Sequence, residues 1–384
     1  MVEMDNIEKK DLQGANFIKT KLEGADFIEA NLEKANFIGS NLQGANFKGA
    51  NLKEANLQAT ELQGVNFQEA NLHRAKLQVA TLYGADLQRA NLQEANLQGA
   101  NLQRADLQDV NLQEANLQRT DLVEANLERA KVQGAIFCEA DLQEANLQGA
   151  DLQGTDLQGA DLEKANLQGA NLKETNLIRA DLEKANLQEA DLQKADLEEA
   201  NLQRTNLQGA NLQEANLQRT DLRKANIQRA HLGKANFEKA KLKGANLKKA
   251  ECEETNLEDA KLKEAILQGA NFVKAKLISA KLQKANLKGT NFQGANLINA
   301  KLGGANLQRA NLKGANFTGA DLQRGNFRKA NLQGAKFKEA NLEGAQHLLV
   351  DQLSNVKTLY NAKLDEKLFI QLKEKYPTLF EKSD

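Results

Sequence analysis

A four-sided, all-β solenoid closed by a small helical cap is the fold this sequence predicts, and three observations predict it. The first is an unbroken register. Starting at Ile7 and advancing five residues at a time, every position to Leu342 is apolar, 68 in succession: 52 Leu, 12 Phe, two Ile, Val132 and Cys252. We call this position i; two residues before it, 53 of the 68 are Ala and nine are Thr. The second is the period itself, which fits neither the 3.6 of an α-helix nor the 2.0 of a flat strand. It fits a chain that turns a corner every five residues. The third is phenylalanine spacing: Phe17/Phe37, Phe27/Phe47, Phe47/Phe67, Phe272/Phe292 and Phe317/Phe337 lie 20 apart, and no two Phe at position i lie 15 apart. Bulky residues that stack from coil to coil therefore ask for four sides rather than three.

The inward positions are i and i−2. Two inward side chains per side cannot both be large in a narrow coil, which explains the alanines. The three remaining positions point outward. Position i−1 is mostly Asn or Asp, and i+1 is often Gln, as in the run Gln93, Gln98, Gln103, Gln108, Gln113 and Gln118. Asn, Asp and Gly near each corner suit tight turns, in which side-chain oxygens accept local backbone N–H groups. The single proline, Pro377, lies outside the repeat, where it deletes no inter-coil donor. Coils stacked at about 4.8 Å would make about 17 turns of four pentapeptides and a rod of roughly 80 Å. The predicted organisation is a tail at 1–4, the repeat at 5–344 and a cap at 345–384.

These pentads, for example Ala95-Asn96-Leu97-Gln98-Gly99, resemble the pentapeptide-repeat family, whose consensus is A(D/N)LXX. The resemblance covers nearly nine-tenths of the chain and implies a right-handed quadrilateral β-helix; the handedness comes from the resemblance alone. Gly325 at i−2, and Ile136 and Ile266 at i−1, depart from the consensus without breaking the register. Most family members have no defined activity. Some are similar to DNA in shape and charge and protect DNA gyrase from quinolones, and others interact with regulators in cyanobacteria.

A stacked β-helix exposes unpaired backbone at each end, which invites aggregation. After Ala345 the pattern stops. A short helix is expected within Asp351–Tyr360, and a second one capped by Asp365 carries Leu368, Phe369, Leu372 and Tyr376 along one stripe and stops before Pro377. The tail is read as a cap over the last coil; the alternative is that its amphipathic helix recruits a partner or a second copy, so the chain is a monomer or a dimer through the cap. Only about five residues precede the repeat, which leaves the first coil poorly covered. Phe crowds both ends of the repeat, as if aromatic stacking stiffened coils that have one neighbour.

The residue inventory argues against an enzyme. His73 and His231 are outward and nearly eight coils apart, and His347 lies at the entrance to the cap. Cys252 is an inert core residue, whereas Cys138 is an exposed thiol with no histidine near it. No phosphate loop, Ser-His-Asp set or Cys-x-x-Cys motif occurs, so no catalytic residue, metal or cofactor is expected. Two cysteines exclude a disulfide framework. Neither a membrane span nor a signal-peptide core is present, and the expected location is cytoplasmic.

Charge is the informative non-uniformity. The formal net charge is −1, but residues 1–200 sum to −15 and residues 201–384 to +14. On one face the i−1 column reads Asp121, Asp141, Asp161, Asp181, Asn201, Asp221, then Lys241, Lys261, Lys281 and Lys301 before Asp321. Lys243, Lys263 and Lys284 flank the lysines. Like charges about 4.8 Å apart repel, so these columns are the candidate sites: a basic face at the lysines and an acidic face at Asp121, Asp141, Asp161 and Asp181. The plain alternative is that they only keep the rod soluble. The leading function is a non-catalytic rod that binds another protein through charged faces. The alternatives are a DNA mimic acting on gyrase or topoisomerase through residues 101–200, and binding of nucleic acid or another polyanion to the lysines.

Overall fold

The computed structural model describes residues 11–382. The expected tail at 1–4 and the start of the repeat at Asp5 lie outside the described residues. The chain forms two compact units, one ending at Asp196 and the other beginning at Leu197.

In unit 1 the i−1 residues from Asp11 to Asn176 each form a parallel bridge with the residue 20 further on, as in Asp11–Asn31, Asn16–Asn36 and Lys21–Asn41. Twenty residues per coil means four sides of five. The reason lies in where the backbone N–H groups go, which must be a complete account. Within one pentad, Leu12 N–H donates to Asn31 O and Gly14 N–H to Glu33 O in the next coil, and Asn36 N–H donates back to Ala15 O. Ala15 N–H closes a β-turn onto Leu12 O. The fifth amide, Gln13 N–H, is met by a side chain, the Asp11 carboxylate at 3.3 Å. Asn or Asp at i−1 is thus the residue that completes the hydrogen bonding of the pentad.

The third residue of every described turn is left-handed. Gly14 has φ +67°, but Glu29, Lys34 and Arg74 hold φ of +51°, +59° and +57°, the signature of a type II turn. Asn, Asp and Gly are the residues expected near the corners, yet Glu, Lys and Arg occupy the left-handed position in many of them. Two inter-coil bonds on each side of the corner hold them in a conformation that L-residues otherwise avoid. Val79 is the extreme case, a β-branched residue at φ +51° and 61% exposed.

The inside is dry and regular. From Leu22 onward the leucines at i and alanines at i−2 are buried, whereas Leu12 and Ala15 in the first described coil are half-buried; Phe17/Phe37, Phe27/Phe47 and Phe47/Phe67 stack at 4.8, 4.8 and 5.0 Å. Threonine at i−2 is buried without an unmet hydroxyl: Thr120 donates to Leu97 O and Thr155 to Val132 O, both at 3.0 Å.

Unit 2 repeats the same coil from Asn201–Asp221 to Asn326–Gln346, with Phe272/Phe292 and Phe317/Phe337 stacked at 5.3 and 5.2 Å. At Gly325 an added Cβ would sit 3.1 Å from Leu322 O and 3.3 Å from the Phe327 ring. That crowding is the steric reason this i−2 position lacks the usual alanine.

Beyond Ala345 the backbone keeps pairing. Lys336–Thr358 and Asn341–Lys363 form parallel bridges, and Lys357 and Lys363 donate to Ala335 O and Ala340 O. The coil-to-coil offset becomes 22 there, which admits helix α1 (Val350–Leu353). The short helix expected within Asp351–Tyr360 starts one residue earlier, held by Gln352, whose side-chain amide donates to Phe327 O and Ala330 O. Helix α2 (Glu366–Lys375) starts after Asp365 and stops before Pro377, but the Asp365 side chain makes no capping bond. Its carboxylate instead accepts Gly344 N–H at 2.8 Å: an amide of the last pentad outcompetes the helix terminus. On α2, Leu372 is fully buried and Leu368, Phe369 and Tyr376 are half-buried. Phe369 meets Phe380 edge-on at 5.2 Å. Among the described residues no helix is long and apolar enough to cross a membrane.

Candidate functional site

The completed pentad defines what is unusual about Lys241, Lys261, Lys281 and Lys301. Where i−1 is Asn or Asp its oxygen accepts the i+1 amide, as Asn236 does for Glu238 and Asn246 for Lys248, both at 3.2 Å; single pentads such as those of Lys76, Lys131 and Lys276 lack it, but only here does lysine replace it in four coils running. Asn also donates down its column: Asn51 to Asn31, Asn71 to Asn51 and Asn91 to Asn71 at 3.1 to 3.3 Å. Lysine has donors only. Among the described residues, the amides of Lys243, Lys263, Gln283 and Gly303 consequently have no hydrogen-bond acceptor. The coil itself is undisturbed, because Lys241–Lys261, Lys261–Lys281 and Lys281–Lys301 are bridged in parallel. Four successive coils have given up a local bond to present ammonium groups.

Those side chains converge. Lys241, Lys243, Lys261, Lys263, Lys281 and Lys284 line one open groove of about 710 Å³ together with Arg223, Gln283 and Gly303. Its walls are largely the carbon stems of the lysines. Lys301 belongs to the column but does not line the groove. Arg223 does, and the sequence signal for it was its place at i+1 one coil before Lys243. At that end Arg223 forks onto Asp221, Nε to Oδ1 and a terminal nitrogen to Oδ2, both at 2.7 Å, and Lys241 stands 3.6 Å from the same carboxylate. Burial pushes the Asp221 carboxyl up, but Arg223 and Lys241 outweigh it and hold the group below its ordinary value. Lys263 pairs loosely with Glu264 at 3.8 Å. Among the described residues, Lys243, Lys261, Lys281, Lys284 and Lys301 have no carboxylate within ion-pair distance.

The acidic column lies in unit 1. Asp121–Asp141, Asp141–Asp161 and Asp161–Asp181 are bridged in parallel, and each aspartate keeps the local bond, for example to Gln143 N–H at 3.1 Å and Glu163 N–H at 2.9 Å. Gln103 and Gln143 donate to Asp121 and Asp161 at 2.5 and 2.6 Å. Asp141 is pushed above its ordinary pKa by burial, then by Asp161 and Asp121. The nearby corner cations are engaged with corner acids: Lys164 with Glu144 at 2.8 Å, and Lys184 with Glu163 and Glu183 at 3.1 Å.

The remaining polar singletons stay apart. His73 faces Glu94 at 3.5 Å, and His231 and His347 are exposed. Cys252 is buried, which pushes its thiol well up. Cys138 is half-buried rather than exposed, and burial followed by Asp156 pushes it up to about 11. A thiol that hard to ionise is a poor nucleophile. Among the described residues no cluster of His, Cys, Asp and Glu is arranged to hold a metal ion.

Fold and groove together define a β-solenoid that presents charged columns. Residues 10–87 match the family model described as a pentapeptide repeat region, and overlapping segments across 85–251 and 255–346 match the model of pentapeptide repeats. The chain belongs to the pentapeptide repeat family, and its fold is the family's right-handed quadrilateral β-helix. Among solved structures it is similar to HetL, a pentapeptide repeat protein involved in heterocyst differentiation regulation from the cyanobacterium Nostoc sp. strain PCC 7120. The identity is 34%, over 66% of this chain and 90% of that one, with a TM-score of 0.27. A pentapeptide repeat protein from the Arabidopsis thaliana thylakoid lumen is 36% identical over 26% of this chain and 66% of that one, with a TM-score of 0.21. QnrB1, a plasmid-mediated fluoroquinolone resistance protein, is 17% identical over 67% of this chain and 95% of that one, with a TM-score of 0.23. No curated protein sequence matches the chain.

Proposed function

We propose that this protein is a non-catalytic interaction scaffold and that its lysine groove docks an acidic partner protein. One observation carries the reading: over four successive coils lysine stands where Asn or Asp would complete the pentad, and three of the four, Lys241, Lys261 and Lys281, line one groove with Lys243, Lys263 and Lys284. A residue that only kept the surface soluble would not need to give up the local bond, since the i+1 and i+2 positions already carry charge. Nucleic acid is the less favoured occupant, because no aromatic side chain lines the groove to stack a base. A DNA-like acidic face over 101–200 finds less support still. Corner lysines and arginines sit among its acids and break the continuous acidic surface a DNA mimic needs.

The test is fluorescence anisotropy with a labelled poly-glutamate peptide and a single-stranded DNA oligomer of matched charge. The comparison is between the parent and the variant Lys241→Asn, Lys261→Asn, Lys281→Asn, Lys301→Asn. Exposed contacts are individually weak, so the quadruple change is expected to weaken poly-glutamate binding by about tenfold or more. The parent's binding should also fade as salt shortens the screening length to about 3 Å at 1 M. Equal binding by parent and variant at low salt overturns the docking role, and a clear preference for the DNA oligomer replaces the acidic protein with a polyanion.

A further inference from the structure

We propose that the occupant of the lysine groove is the aspartate column of unit 1 in a second copy of this chain. The inference rests on the reading of the groove as a docking surface for acidic protein and names the partner. Three features of the two columns point to it.

Pitch is the first. The lysines recur once per coil, at the spacing of the parallel bridges Lys241–Lys261, Lys261–Lys281 and Lys281–Lys301. Asp121, Asp141, Asp161 and Asp181 recur once per coil by the same bridges, so both columns advance about 4.8 Å per charge. An extended acidic peptide presents one face every second residue, about 6.7 Å apart, and falls roughly 6 Å out of step over four contacts. A helix with one acid per turn advances about 5.4 Å and drifts about 2 Å over the same run. A second solenoid of this coil height stays in register along the whole lysine column, three of whose lysines line the groove.

Reach is the second. The lysines are exposed, on long stems, whereas the aspartates are short and half-buried. One column is built to extend and the other to receive. Each aspartate spends one oxygen on the local amide bond, and a carboxylate has about four acceptor sites in all. Asp141 carries burial and two like neighbours without a cation of its own, and a facing lysine column supplies one.

Length is the third. The lysine run ends at Asp321, and on its other side Asp221 already holds Arg223 and Lys241. A copy that slid by one coil toward Asp321 would set aspartate against aspartate, so like charge penalises the wrong register.

The experiment is light scattering and sedimentation velocity on the full chain at low and high salt. At low salt and high protein concentration the mass is expected to reach at least twice the 42.2 kDa of one chain. It should return to one chain in about 0.5 M salt, where charge attraction is screened. Two neutral variants follow, one with all four lysines changed to Asn and the other with Asp121, Asp141, Asp161 and Asp181 changed to Asn. Asn keeps the local amide bond, so both should fold and both should remain single chains. Mixing them leaves one intact pair of columns, lysines on one chain and aspartates on the other, and should restore association. A parent that stays at 42.2 kDa under low salt overturns the proposal, as does self-association that survives either variant. If the monomeric parent still binds poly-glutamate through its lysines, the scaffold reading stands and only the self-partner is wrong; if that binding is also absent, both fall.

Discussion

The aspartates from Asp121 to Asp181 and the lysines from Lys241 to Lys301 hold the same place in the repeat. Each set sits over buried leucine and alanine, and each is joined coil to coil by the same parallel bridges. They differ in what the side chain does for its own backbone. Asp accepts the amide two residues on; Lys cannot. The solenoid keeps its shape over the lysines because three inter-coil bonds per pentad suffice for it, as in Leu242 to Lys261, Leu262 to Lys281 and Lys281 to Ala260. The outer face is therefore free to change character without a change of fold, and that freedom is what makes a repeat rod a carrier of charge patterns.

The largest expected effect tests the shared part. Leu162 and Leu262 are both fully buried beneath their columns. Replacing either by Lys buries an unpaired charge and should cost several kcal/mol of stability, seen as a large fall in the denaturant midpoint. The two losses should match to within about 1 kcal/mol. If only one position tolerates the change, the cores of the two units are not built alike.

The second test addresses the difference. Restoring Asn at all four lysine positions gives the amides of Lys243, Lys263, Gln283 and Gly303 an acceptor again and removes stacked like charge. A single such bond nets little against water, so the gain should lie near the low end for hydrogen bonds, about 1 to 2 kcal/mol for the set. Thermal unfolding checks it, and a lower melting temperature would mean that the lysines stabilise the coil by a route the geometry does not contain.

Asp141→Asn probes the opposite column and should stabilise by about 0.5 kcal/mol at neutral pH, since Asn keeps the local bond and adds a donor toward Asp121. The sign with pH is definite. Burial, with Asp161 and Asp121, raises the folded-state pKa of Asp141, so the folded chain holds that proton more tightly than the unfolded one. Its contribution is fully present below the ordinary aspartate range and is lost as pH rises through the folded value. The advantage of Asn over Asp in a urea series should therefore grow from acid to neutral pH; an advantage that shrinks would reverse the assignment. Smallest of all, Glu163→Gln removes one exposed pair with Lys184 and should change stability by less than about 0.5 kcal/mol.

Much of this was legible in the residues because a period of five leaves little choice. Phenylalanines 20 apart announce four sides, and the same period stacks the lysines in one column. What stayed hidden depended on distances across the chain. Cys138 is outward by register, yet its neighbours half-cover it and Asp156 suppresses its ionisation. Asp365 has the composition of a helix cap, but the amide of Gly344 reaches it first. Lys301 shares the column and misses the groove, whereas Arg223 was overlooked and lines it.

By itself the sequence determined the coil: which residues turn inward, how many make a turn, and where the charge changes sign. Each is a matter of period, and period survives any ignorance of three-dimensional detail. Only the tertiary structure decided that charged residues hold left-handed corners, that three amides of each pentad bond to a neighbouring coil, and which of the lysines share a groove. Those are facts about which donor meets which acceptor across neighbouring coils, and a hydrogen bond made over 20 residues is written in geometry rather than in composition.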